Sequence, residues 1–251
     1  MTLYDRYLHG DHAGTWSRLN LLGPFVYQPQ YLADASAVAH ETMTRARANV
    51  ATLIDRLTRI GFDFLLPRTA GSEWMGPMGP ETSSDDLLVH SLPHHDSETL
   101  LTRIEETTAG IVPLSVRAWY QIVGAVSLLG DHPLLSSYKR SMSDGPIYSD
   151  PLMVVPLSSM VNELQFFPEV SRKFSFFPDK YFKAGCSGAM SIEIDCEGAQ
   201  ADAILHNEPH GLYFVQYLRH SFSWGGFPGW SGCPNRPEDE LRYLAEGLLP
   251  I

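Results

Sequence analysis

Apolar residues recur at three- and four-residue steps between Ala35 and Ile60, where Met43, Ala46, Val50, Leu53, Ile54, Leu57 and Ile60 share one face. That spacing predicts an amphipathic helix with one side in a core. Asp34 stands where a helix cap is expected and Gly61 where a helix stops. On the polar side, Glu41 and Asp55 each precede an arginine by four residues, a spacing that intrahelical ion pairing explains without a function. Thr15 to Leu22 predicts a shorter helix closed by Gly23-Pro24. Residues 1–65 therefore read as a helical N-terminal unit.

The period is lost from residue 66 to 96, where Pro, Gly, Ser and acids predominate and Trp74-Met75-Gly76-Pro77-Met78-Gly79-Pro80 excludes a helix or a central strand. Connections of this length are uncommon in compact domains, which makes this one a candidate contact surface. Helical spacing resumes at Ser97–Thr108, with Asp96 placed to cap it, and again at Ser115–Val123 between Pro113 and Gly124. Short apolar runs at Val126–Leu129 and Leu152–Val155 predict strands, and Leu157–Leu164 a helix. The aromatic group Phe166, Phe167, Phe174, Phe176 and Phe177 predicts irregular, buried chain. Alternation over Ala189–Asp195 predicts a strand covered on one face, with Gln200–His206 as its partner across the Glu197-Gly198 turn. An amphipathic helix is expected from Leu212 to Trp224, ended by Gly225-Gly226, and a last one from Pro237 to Glu246. The expected fold class is α+β: a helical unit, then a small, mostly antiparallel sheet packed on helices over residues 97–231, then a helical tail over 232–251.

Composition narrows the function classes. A chain of 251 residues, 44% of them hydrophobic, can bury a substantial core. The formal charge of −11 argues against nucleic acid, which needs a basic footprint. Acids concentrate between Glu73 and Glu106, where Glu73, Glu81, Asp85, Asp86, Asp96, Glu98, Glu105 and Glu106 face one base, Arg103; such a run solvates a surface or steers a basic protein into contact. No stretch reaches the roughly 20 apolar residues of a membrane span, and the first residues lack a signal-peptide pattern, so the cytoplasm is the expected location. Three cysteines, Cys186, Cys196 and Cys233, without C-x-x-C spacing predict reduced thiols.

Candidate chemistry is sparse. Gly185-Cys186-Ser187-Gly188 has the wrong spacing for a nucleophile elbow. His206-Asn207-Glu208-Pro209-His210 departs from a zinc-protease helix in its late glutamate and its proline. His94-His95-Asp96 has the ligand types for a divalent ion, but a solvated loop ending in a helix cap accounts for it better, because ligand sets normally draw side chains from separate elements. Cys186 near Lys183 is a candidate thiol nucleophile without an identifiable base, and Asp131-His132 a candidate acid/base pair that local hydrogen bonding also explains. No catalytic residue, metal site or cofactor is therefore assigned.

The succession Ile104-Glu105-Glu106, Gly110-Ile111-Val112-Pro113-Leu114-Ser115-Val116-Arg117-Ala118-Trp119-Tyr120 and Val123-Gly124 resembles the opening of the SUKH superfamily (Smi/Knr-like proteins), in which an acidic helix precedes a Leu-Pro step, an aromatic helix and a glycine. The chain departs from it at Val112, at Val123-Gly124 and over the first 95 residues. The whole chain also looks like a widespread uncharacterised bacterial family. The resemblance implies a protein-binding module of immunity (toxin-neutralising) or regulatory type, with a protein partner such as a basic toxin domain. Trp74, Asp85, Asp86, Glu105 and Glu106 are the candidate contacts. The alternatives are a thiol- or metal-dependent hydrolase, with Cys186, His94, His95 and Asp131 as first residues to test, and a structural subunit of a larger assembly.

Overall fold

The chain opens with α1 (Leu3–Leu8), α2 (His12–Leu22), a 3-10 turn at Gly23–Tyr27 and α3 (Pro29–Arg59) in the computed structural model, which describes residues 1–64, 89–136, 138–140, 146–166, 173–186 and 190–251. Helix α3 starts earlier than its apolar pattern indicated, because Pro29 occupies its first turn. Asp34 is consequently internal to it and caps a different helix: its carboxylate accepts the Leu3 and Tyr4 N–H groups of α1 at 2.7 and 3.0 Å. Met43, Ala46, Val50, Leu53 and Leu57 are buried as their spacing predicts.

After β1 (Asp63–Phe64) and β2 (His90–Ser91) come α4 (Ser97–Thr108), α5 (Leu114–Ile122), β3 (Ala125–Ser127) and β4 (Gly130–Asp131). They are followed by β5 (Tyr138–Arg140), β6 (Pro146–Tyr148), β7 (Met153–Val154), α6 (Leu157–Phe166) and β8 (Lys173–Pro178). The order closes with α7 (Lys180–Lys183), β9 (Ser191–Asp195), α8 (Phe214–Ser223), a 3-10 turn at Pro228–Trp230 and α9 (Glu238–Ala245). The sheets are small and antiparallel, with β2-β3-β7 forming three strands and β1-β4, β5-β6 and β8-β9 pairing in twos. The fold is α+β, and no helix among the described residues is long and apolar enough to cross a membrane.

Two expectations about the strands need correction. Phe174, Phe176 and Phe177 lie in β8, a paired strand; an irregularity between Ser175 and Phe177 buries consecutive phenylalanines and erases the alternation that would have marked it. The partner of β9 is β8, and Gln200–His206 contributes only the bridge Glu193↔His206. The 200–203 backbone is engaged elsewhere, accepting N–H groups from the start of α5 (Leu114 to Gln200, Ser115 to Ala201) and from Phe214 (to Ala203).

The core is continuous from Tyr7 to Ile251. At its centre Trp119 of α5 meets Phe214 of α8 edge-on at 5.3 Å, and Phe214 meets Phe176 of β8 at 4.8 Å. Contacts of this kind add about 0.5–1.5 kcal/mol to burial and fix α5, β8 and α8 in register. Residues 249–251 pack between α3 and α8: Asn49 exchanges two hydrogen bonds with Leu249, and Arg219 donates to the Ile251 oxygen at 2.6 Å.

Helix α8 is anchored by a buried acid. Asp202, 1% exposed, accepts the Val215 N–H in the first turn of α8 and the Ala203 N–H. Burial pushes its carboxyl up to about 7 from an ordinary 3.8, against the lowering effect of Ser115 and these amides. The folded state therefore binds more protons than the unfolded chain between about pH 4 and 7, so stability falls as pH rises through that window and levels off above it. Asp202→Asn is expected to flatten this part of the stability–pH curve, read from urea unfolding at pH 5 and 8. An unchanged difference between the two pH values would remove Asp202 as its source.

Candidate functional site

Where β8 runs into α7, a pocket of about 110 Å³ opens between that corner, Ile192 of β9, the turn at Asn207–Pro209 and Tyr217 of α8. Its aromatic wall follows from the bulged strand, which turns Phe177 toward α8 so that the Phe177 and Tyr217 rings stack at 4.8 Å with an interplanar angle of 23°. Asp179 caps α7 through the Phe182 N–H at 2.8 Å, and its second oxygen accepts the Met190 N–H at 2.9 Å, which pins the strand entering β9.

Two further carboxylates line the pocket. Asp150 sits at φ +52 and Asn207 at φ +65, left-handed positions that Asp and Asn tolerate better than other side chains. Asp150 Oδ1 receives the Lys183 ammonium at 2.6 Å. That lysine is fully withdrawn from solvent, its side chain 1% exposed and its Nζ 5.3 Å from the Phe177 ring centre. Glu208, also buried, accepts the His210 and Leu212 N–H groups on Oε2 at 2.9 and 3.1 Å. The phenol of Tyr217 is 2% exposed and its hydroxyl has no hydrogen-bond partner among the described residues. Burial raises its pKa well above the ordinary value, and the negative charges of Asp150 and Glu208 add to the effect, which puts the hydroxyl within the field of both. His220 Nε2 is likewise buried without a partner, and burial lowers the pKa of its ring. A hydroxyl left unpaired in this way costs about 1–3 kcal/mol.

The residues singled out from sequence fall elsewhere. Glu105 is engaged inside the fold, accepting Arg117 at 2.7 Å and the Val112 N–H at 2.9 Å, while Glu106 is exposed on α4. Glu98 is also drawn to α5, pairing with Arg117 at 2.6 Å and with Gln121. Trp74, Asp85 and Asp86 lie outside the described residues. The nearest recorded partners of the Cys186 sulfur are Tyr148 Oη at 4.0 Å and Ala184 O at 3.9 Å, and Lys183 turns away from it to Asp150. Asp131 pairs in β4 opposite Asp63.

His206 and His210 face different partners, Asp195 at 3.1 Å and the His220 ring at 5.5 Å, so they do not converge on an ion. His94, His95 and Asp96 do come together, their ligand atoms within 4.8 Å of one another on an exposed loop. The two imidazoles stack at 4.4 Å and Asp96 binds His95 at 2.9 Å. Asp96 occupies the N-cap position of α4 without making the expected side-chain cap, because its carboxylate is held by His95 instead.

The pocket brings together Asp150, Glu208 and Tyr217, with Lys183 held behind its wall by Asp150, and none of the four stood out in the sequence as members of one site. The only local sign was polar residues beside proline, Asp150-Pro151 and Glu208-Pro209. Comparison with family models, with curated proteins and with solved structures gives no match.

Proposed function

We propose that the protein is a binding module of immunity or regulatory type, as its resemblance to the SUKH superfamily implies, acting on a basic protein partner. The observation that carries this reading is the pocket itself. Buried Glu208 and half-buried Asp150 and Asp179 line it, and exposed Tyr181 and Met190 stand on α7 and at the entry to β9 beside it. A formal charge of −11 supplies the long-range field that speeds encounter with a basic surface. Exposed Glu106 of α4, and Trp74, Asp85 and Asp86 outside the described residues, stay the contact candidates read from the sequence.

The test screens the purified chain against basic toxin domains and follows association by stopped flow at low and high salt. A one-to-one complex is expected whose association rate falls steeply as salt rises, because the charges act across solvent over about a Debye length. Absence of a complex, or an association rate indifferent to salt, would remove the acidic binding reading.

A further inference from the structure

We infer that the pocket between α7, the 207–209 turn and α8 receives the ammonium end of a lysine side chain presented by the partner protein. This rests on the binding reading above and names the group that would anchor it.

Size comes first. A volume of about 110 Å³ is well below the roughly 300–1,000 Å³ of sites for drug-sized ligands. It suits the end of one side chain.

Charge and hydrogen bonding then select which side chain. Five charged residues face or adjoin the cavity: Asp150, Asp179 and Glu208 against Lys180 and Lys183. Both oxygens of Asp179 are engaged by backbone N–H groups, and Lys183 takes one oxygen of Asp150. Lys180 lies over the Tyr181 ring at 5.2 Å. Two acceptors receive no donor among the described residues, the second oxygen of Asp150 and the second oxygen of Glu208, while the Tyr217 hydroxyl, also without a partner, has no surface open to the cavity. An ammonium carries donors only and a positive charge, which suits two carboxylate oxygens. An anion would meet an excess of carboxylates, and a neutral apolar group would cover both oxygens without supplying a donor. The walls agree with the assignment: Phe177, Pro178, Tyr181, Ile192 and Pro209 offer apolar surface to a methylene stem.

The probe is Nα-acetyl-lysine amide, titrated into the full chain and followed by amide NMR, with Nα-acetyl-norleucine amide as the uncharged control. The lysine probe is expected to saturate in the millimolar range, with shifts confined to residues near Asp150, Phe177–Lys183 and Asn207–Tyr217. Norleucine is expected to bind at least about tenfold more weakly, the ratio that loss of one charge-assisted hydrogen bond produces.

Glu208→Gln keeps an acceptor for the two backbone amides and should weaken the lysine probe about tenfold. Tyr217→Phe removes only the covered hydroxyl. It should leave the probe's affinity unchanged and the melting temperature unchanged or raised, because that hydroxyl has no surface open to the probe. Equal binding of norleucine, shifts elsewhere on the surface, or unaltered affinity in Glu208→Gln would overturn the assignment.

The two proposals fail separately. A salt-sensitive partner complex that Glu208→Gln leaves untouched would sink the lysine pocket and keep the binding module. Occupancy of the pocket by the lysine probe with no basic partner bound would make it a site for free amines and overturn its assignment to a partner's lysine.

Discussion

Lys183→Met is expected to lower the free energy of unfolding by about 3–5 kcal/mol, the usual cost of removing one member of a buried ion pair. The lysine side chain is 1% exposed and Asp150 16%, and the two meet at 2.6 Å, so the pair is desolvated far more than a surface bridge worth under about 1 kcal/mol. Methionine fills most of the volume and keeps the apolar contact with Phe177, which isolates the charge from the packing. The loss comes chiefly from the Asp150 carboxylate left without its cation at the wall of the pocket. Adding Asp150→Asn to Lys183→Met should therefore recover part of the stability, and the double variant should lose less than the two single losses together. Urea unfolding of the four proteins measures the coupling directly. Strict additivity would mean that the pair contributes nothing beyond its separate side chains.

Much of the helical fold was legible because its helices obey a single period. The buried stripe of α3 is the run Met43 to Leu57 read from the sequence, and α8 buries Phe214, Tyr217, Leu218 and Phe222 as its spacing requires. The strand runs around Val126 and Val154 were also visible, and these two residues pair directly between β3 and β7. Where the reading failed, a local rule was overridden by a distant partner. Asp34 looked like the cap of its own helix but caps α1, 30 residues away in sequence, because Pro29 lets α3 start sooner. Gln200–His206 was read as the strand partner of β9, yet its Gln200, Ala201 and Ala203 carbonyls are claimed by α5 and α8. The pocket was hidden for the same reason. Asp150, Lys183, Glu208 and Tyr217 come from four segments, and the pattern around Glu208 suggested only a failed zinc motif. What makes these residues notable is burial without full satisfaction, a property of their surroundings that no spacing encodes.

Gly124→Ala is the other substitution expected to act strongly, at on the order of 4 kcal/mol, through two separable mechanisms. The residue ends α5 at φ +92, a conformation that costs an alanine about 1 kcal/mol or more. A Cβ there would also stand 2.1 Å from the Ser91 carbonyl oxygen and 2.8 Å from the Leu92 carbonyl carbon. Those atoms are backbone at and just beyond β2, so relief requires moving that strand off β3, where Ser91 is registered with Ala125. Gly61 supplies the control: it sits at φ +77 at the end of α3, but a Cβ on it meets nothing within 4 Å. Gly61→Ala should therefore lose only the backbone part, about 1 kcal/mol, while Gly124→Ala loses that and the cost of displacing β2. Urea midpoints give the two losses, and hydrogen exchange at Ser91 and Ala125 reports whether the ladder has opened. Equal losses in the two variants, with exchange at the ladder unchanged, would show that β2 yields freely and that the close approach of Gly124 to it carries no stability.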